Sequence, residues 1–280
     1  VLLKPRLLFP ALLLLLMGAV TAVAQELWLQ PARFWVAPGT SQHIRVLVGD
    51  NFAGARWPGR SSRLTSFVQY APGQTLDHTA AARLADTLAT TVMFVRPGVH
   101  LLAFSTTSNY AELEAGKFTE YLRQQGLDYI IALREQRQQQ LKPGREMYRR
   151  CAKTLVQVGA GGPDTARTYA RAVGHALELV PEQNPYAAKP GASLTVLVLA
   201  AGQPQRGALV QVRQRLPGQQ TAQLFTFRSN QNGRVLFKLS AGATYLVSTV
   251  RMEPAADPQV ADWQSTWATL TFGTAGISAR

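Results

Sequence analysis

Residues 190–250 run Pro190-Gly191, Leu194-Thr-Val-Leu-Val-Leu199, Gly202-Gln-Pro204, Gly207-Ala-Leu-Val-Gln-Val-Arg213, Asn230-Gln-Asn-Gly233, Arg234-Val-Leu-Phe-Lys-Leu239 and, past Gly242, Tyr245-Leu-Val-Ser-Thr-Val250. Short apolar or alternating runs cut by Gly, Pro and Asn turns are how half-buried antiparallel strands are written. The segment predicts a β-sandwich, an architecture that more often presents ligands or spaces other domains than catalyses. Residues 262–272, Asp262-Trp-Gln-Ser-Thr-Trp-Ala-Thr-Leu-Thr-Phe272, alternate again, with Trp263, Ser265 and Trp267 on one side. They are expected to return as its last strand. The aromatic core candidates here are Phe225, Phe227, Phe237, Tyr245 and Trp267.

Upstream, residues 181–185 read as a linker, and residues 25–113 are mostly strand-like. In 43–49, Ile44, Val46 and Val48 share one face, while His43, Arg45 and Leu47 share the other. Residues 91–95, the turn Arg96-Pro97-Gly98 and residues 99–105 read as a hairpin. Gly, Arg and Ser at 54–62 suggest a loop, and 79–88 a short helix. Helical spacing then interrupts the strands. Phe118, Tyr121 and Leu122 fall at i, i+3, i+4, Gly126-Leu127 is a stop signal, and Asp128 is placed to cap a second helix through Ile130, Ile131 and Leu133. Strand character returns at 151–158 and near 172–180. The expected architecture is mainly β: two β-sandwich domains, 25–185 with a helical insertion at about 115–147 and 186–273, followed by a tail at 274–280.

The first 24 residues read as a secretory leader, with Lys4 and Arg6 before an apolar core at 12–17 and Ala22-Val23-Ala24 as a cleavage site. The mature chain is expected to begin at Gln25 in the bacterial periplasm. Cys151 is the only cysteine, so no intrachain disulfide can brace the fold, and it reads as a small packed residue. With 46% hydrophobic residues in 280, packed cores can carry the stability. The net charge of +13 includes Lys4 and Arg6 of the leader, leaving +11. It is scattered arginine without basic runs or interleaved aromatics, which argues against nucleic acid and allows loose association with an anionic envelope surface.

Two resemblances follow from these motifs. The C-terminal part is similar to prealbumin-like and carboxypeptidase-regulatory-like domains. Nearly the whole mature chain resembles a bacterial periplasmic family of domains of unknown function, often described as the periplasmic component of nickel or cobalt transport. The carriers are Glu26-Leu-Trp-Leu-Gln-Pro31, Lys117-Phe-Thr-Glu-Tyr-Leu122, Pro143-Gly-Arg-Glu-Met-Tyr148, Ala152-Lys-Thr-Leu-Val156, Gly174-His-Ala-Leu-Glu-Leu-Val-Pro181 with Asn184-Pro185-Tyr186, and Asp262-Trp263. The resemblance implies a non-enzymatic binding protein, a divalent transition metal as cofactor or cargo, and a membrane transporter or outer-membrane receptor as partner. The alternative is an adaptor of the envelope that docks a membrane protein. Two family histidines are replaced here by Gln25 and Arg251, so metal binding is expected to be weak, and restoring both together is expected to strengthen it more than either alone.

No two of His43, His78, His100 and His175 stand at metal-ligand spacing. His43 reads as solvated and His100 as a core histidine. His175 lies inside a family motif and is the candidate metal ligand. Glu178 is three residues on, which on a strand would place it on the opposite face. Arg145, Glu146, Tyr148 and Lys153, with Glu178, are the candidate binding or docking residues, and with Arg149 in the same polar segment they could form an anion-binding or partner-docking corner. Arg145 and Glu146 can equally satisfy loop backbone or pair the helical insertion to the sandwich. Trp28, Trp35, Trp263 and Trp267 either stack sugars or pack inside. No nucleophile elbow, phosphate loop or carboxylate pair is legible, and Gly159-Ala-Gly-Gly-Pro163 reads as a loop.

Overall fold

The computed structural model describes residues 25–84, 90–160, 165–189 and 191–276. The leader at 1–24, the end of the 79–88 helix, part of the 159–163 loop, Pro190 and the last four tail residues lie outside them. The first strands are β1 (Glu26–Pro31), β2 (Trp35–Val36), β3 (Thr40–Asp50), β4 (Ala53–Arg56), β5 (Leu64–Ala71) and β6 (Gln74–Asp77). Helix α1 (Thr79–Leu84) precedes β7 (Thr90–Phe94), β8 (Gly98–Thr106) and β9 (Asn109–Leu113). Helices α2 (Ala115–Gln124) and α3 (Asp128–Gln136) lead into β10 (Gly144–Val158), then β11 (Leu177–Pro181), β12 (Ser193–Ala200) and β13 (Gln203–Pro204). The chain closes with β14 (Leu209–Arg215), β15 (Gln223–Arg228), β16 (Arg234–Lys238), β17 (Thr244–Pro254) and β18 (Trp263–Gly273).

The architecture is mainly β, with sandwich packing, as the sequence implies. Its largest element is a ten-stranded sheet of order β15-β14-β17-β18-β10-β8-β5-β6, to which β2 and β9 add through β10. Two four-stranded sheets, β1-β3-β4 with β7 and β11-β12-β13 with β16, cover it. They lie on opposite faces. On β10 the even residues Ala152, Val156 and Val158 pack with Leu29, Ile44 and Val46 of the β1–β3 sheet. The odd residue Leu155 packs with Leu179, Val196 and Phe237 of the β11–β12 sheet. We call these the near and far faces. Each fully buried side chain of this size contributes about 1.5–3 kcal/mol.

The expected boundary at 185/186 marks no break in this sheet. β10 pairs in parallel with β18, from Glu146 opposite Trp263 to Thr154 opposite Thr271. One core also joins Val99, Leu101 and Leu155 to Leu194, Val212, Leu270 and Phe272. A parallel neighbour more than a hundred residues away leaves no turn signal in the sequence, so periodicity could place both strands without revealing that they touch. The 96–98 turn has the same lesson. It joins no hairpin: β7 pairs with β3 and β8 with β5 and β10, so the turn carries the chain from one layer to the next.

The helices come closer to expectation. Gly126 has φ +64°, and bonds Leu127 N to Leu122 O (2.8 Å) and Gly126 N to Arg123 O (3.0 Å) close α2 as a Schellman motif. A Cβ on Gly126 would come within 2.7 Å of the Leu209 side chain, so sterics and φ both require glycine. Asp128 caps nothing; α3 has Leu127 at its N-cap without a side-chain bond, and Asp128 instead pairs with Arg228 at 2.8 Å. Glu114 caps α2, accepting from Gly116 and Lys117 N–H. The insertion ends at Gln136, and strand resumes at Gly144 rather than Cys151, because Glu112–Arg145 and its neighbours pair with β9. Trp28, Trp263 and Trp267 are buried, whereas Trp35 is part-exposed and donates Nε1–H to Gly159 O at 2.8 Å. Trp267 packs on the near face against Phe118, Tyr121 and Ile130, not in the aromatic core of the C-terminal strands. Phe225 and Phe227 are only partly buried against that core.

Candidate ligand-binding pocket

Alternation along β10 separates the candidate residues that the sequence placed together. Glu146 and Tyr148 point to the near face and are buried, while Arg145, Met147, Arg149, Cys151 and Lys153 point to the far face. Arg145 grips Asp262 with two bonds, Nε to Oδ2 (3.1 Å) and Nη2 to Oδ1 (2.8 Å), and donates to the Pro258 and Gln259 carbonyls. It ties the turn before β18 to the sheet, a structural role.

Glu146 sits under the helices. Its Oε1 accepts from Tyr121 Oη–H at 3.3 Å and from Ser265 Oγ–H, and its Oε2 has no hydrogen-bond partner. Burial raises its pKa from 4.5 to about 7, against the opposing pull of those hydroxyls and of Arg150. The folded state thus binds a proton that the unfolded chain releases above pH 4.5. Its contribution to stability is full below 4.5 and is lost as pH rises through 7, a span of about 3 kcal/mol. Glu146→Gln should therefore flatten the fall in stability between pH 5 and 7.5 and be the more stable protein at pH 8. Parallel pH profiles for the two proteins in urea unfolding would rule this account out. Tyr148 is also buried, its Oη accepting from Asn109 at 2.9 Å and its ring lying 5.4 Å from Arg63 and 5.1 Å from Arg150.

The remaining three candidates meet. Lys153 Nζ donates to Glu178 Oε2 at 2.5 Å with both side chains buried, and to Arg171 O at 3.2 Å. Glu178 also accepts backbone N–H from Val173 (2.9 Å), Gly174 (2.7 Å) and His175 (2.8 Å). His175 is not on a strand; β11 begins at Leu177, and Gly174 at φ +83° turns three consecutive amides onto one carboxylate. Burial alone would raise the Glu178 pKa, but Lys153 and the amide donors outweigh it and hold it below the usual range. Burial likewise lowers Lys153, although Glu178 opposes it.

This clamp presents His175 to a cavity of about 360 Å³ walled by Thr65, Ser105, Thr107, Ser108, Arg149 and Cys151. Burial, then the Lys153 charge, depress His175 to about 4 against Glu178, so the ring is neutral at pH 7. Its Nδ1 is buried with no hydrogen-bond partner. Arg149 Nε donates to Thr266 Oγ1 at 2.9 Å across the strand pair. Cys151 is a buried free thiol whose pKa burial raises, which disfavours the thiolate. Arg149 belongs to the polar segment read from the sequence, but a strand taken to start at Cys151 gives no parity that would separate it from Glu146 and Tyr148. His43 is exposed, and His100 is a core residue donating Nε2–H to Arg96 O (2.8 Å) and accepting from Gln69 Nε2 (2.9 Å).

Among the described residues no group of three or more His, Cys, Asp or Glu could hold a metal ion. Nor do Gln25 and Arg251 share a site. Gln25 lies over the near face, its carbonyl taking a bond from Arg150 at 3.0 Å. Arg251 stands beside Thr266 on the far face and pairs with Glu253 at 2.9 Å. The expected cooperation between histidines at 25 and 251 has no geometric basis.

A family described as "Domain of unknown function (DUF4198)" matches residues 22–253. No curated protein matches the chain. Among solved structures, it is similar to the D0-D1 domain of Intimin at 11% identity, covering 88% of this chain and 97% of that one, with a TM-score of 0.20. Three N-terminal domains of the bacteriophage RB49 Highly Immunogenic Outer Capsid protein align at 9% identity over 91% and 71%, TM-score 0.23. Salmonella alpha-2-macroglobulin reacted with methylamine aligns at 10% identity over 88% and 15%, TM-score 0.22.

Proposed function

We propose that this chain, which belongs to the DUF4198 family, is a non-enzymatic binding protein of the bacterial periplasm that takes a small ligand in the His175–Arg149 pocket. The observation that carries this reading is a cavity of about 360 Å³ walled by Arg149, His175 and several hydroxyl side chains, with His175 held at its wall by a four-donor clamp on Glu178. A cleft of this volume that gathers a few polar side chains has the size and lining of a small-ligand site. The leader-like residues 1–24 support the compartment.

Of the nickel and cobalt transport that the resemblance implies, we propose weak binding only. His175 and Cys151 are the two donors of metal-ligand type in the pocket wall, short of the three or four that a transition ion needs, and the Arg149 charge repels a cation. The residues therefore do not fit a tight metal centre.

The test is a thermal-melt screen of metal salts, organic anions and neutral solutes against the mature protein and His175→Ala. A ligand at a hundred times its Kd stabilises by about 2.7 kcal/mol. We expect such a shift from at least one solute, lost in the variant, and only millimolar nickel or cobalt binding in calorimetry. Tight stoichiometric nickel binding that disappears in His175→Ala would make His175 a metal ligand instead.

A further inference from the structure

We infer that the ligand of this pocket carries a carboxylate or phosphate group that seats on Arg149; the inference rests on the binding reading above and names its ligand class. The wall holds one full cation, hydroxyls from Thr65, Ser105, Thr107 and Ser108, and no carboxylate. Glu178, the nearest acid in the motif, faces away, its oxygens filled by Lys153 and the 173–175 amides. An anion entering here meets the Arg149 guanidinium and no fixed negative charge, while the Thr107 and Ser108 hydroxyls donate to Arg63 O and Gln264 Oε1.

Arg149 is built for the task. Its Nε bond to Thr266 fixes the guanidinium plane, and its two terminal amino groups make no hydrogen bond among the described residues. A planar pair of free N–H donors matches the two oxygens of a carboxylate or phosphate. By contrast, Arg145 and Arg251 on the same face are already paired with Asp262 and Glu253. His175 on the same wall is neutral and brings no negative charge to the cleft. A metal cation would have to sit beside Arg149, and a sugar would find no aromatic ring in this wall on which to stack. The net charge of +11 left after residues 1–24 adds a field that draws anions to such a cleft.

The experiment titrates the mature protein at neutral pH with inorganic phosphate, citrate, glucose and nickel, reading heat and the side-chain nitrogen shifts of His175 by NMR. The expected result is saturable binding of phosphate or citrate that moves His175, with Kd at least tenfold weaker in Arg149→Gln. Whichever of the two binds decides between phosphoryl and carboxylate ligands. Arg149→Lys keeps the charge but loses the planar donor pair, and should fall between. Arg228→Gln, a remote arginine, should leave Kd unchanged; an equal loss there would reduce the effect to bulk charge and overturn the proposal. If nickel or glucose moves His175 and the anions do not, the ligand class is wrong while the pocket still binds. If nothing moves His175, both the class and the binding reading fall. Far-ultraviolet melts of each variant establish that it is folded.

Discussion

Residues 186–273 expressed alone should give no cooperative melt. The segment has its own strands and turns, including the Asn230–Gly233 turn closed by Gly233 N to Asn230 O at 3.0 Å. Yet β18 would lose the whole of its parallel ladder with β10, and β12 the ladder with β11. Trp263 and Trp267, buried under α2 and α3, would face water, as would the parts of Leu270 and Phe272 that meet Leu101 and Leu155. At about 1.5–3 kcal/mol for each large side chain exposed, the loss matches the 5–15 kcal/mol that a whole domain has to spare. Co-expression with residues 25–185 should restore a soluble complex. A sharp thermal transition and dispersed NMR spectrum from the isolated segment would show that the shared sheet is dispensable.

Glu178→Ala should destabilise the protein by about 3–5 kcal/mol, the range for removing one partner of a buried ion pair. The change strands the Lys153 ammonium and leaves three backbone N–H groups without their acceptor, each a further desolvation cost. Lys153→Met should cost clearly less, because Glu178 keeps its amide donors. Urea unfolding at neutral pH separates the two. If Lys153→Met proves the more damaging, the amide clamp is not what holds the carboxylate. Glu178→Ala should also release His175 from its place, raising its pKa toward the ordinary value as burial is relieved.

Local chemistry was legible and distant pairing was not. The Gly126–Leu127 stop, the alternation of β3 and the return of β18 all follow from short windows, in which one residue type decides one backbone geometry. Strand β15 has a weak apolar signal, because Gln223, Leu224, Thr226 and Arg228 are exposed and Phe225 and Phe227 only half-buried. The same limit applied at the site. His175, Lys153 and Glu178 could be named from the sequence, and Glu146 and Tyr148 stood beside them in one motif. Only the parity of a strand starting at Gly144 sends the latter pair to the opposite face and brings Arg149 in. Polar residues such as Ser265, Thr269 and Thr271 concealed how buried β18 is. Thr269 and Thr271 donate their hydroxyls to Leu27 and Leu29 carbonyls, bonds between segments 242 positions apart.

Strand β10 is read from two sides at once, and that makes its length immutable in a way its composition is not. One residue inserted near Cys151 would turn every side chain before it through half a revolution. Arg149 would be thrust to the near face in the place of Tyr148, and Glu146 out into the place of Arg145, setting a carboxylate against Asp262 in a single step. Descent with modification can thus retune this strand letter by letter but cannot lengthen it, whereas the loops outside the ladders are free to grow.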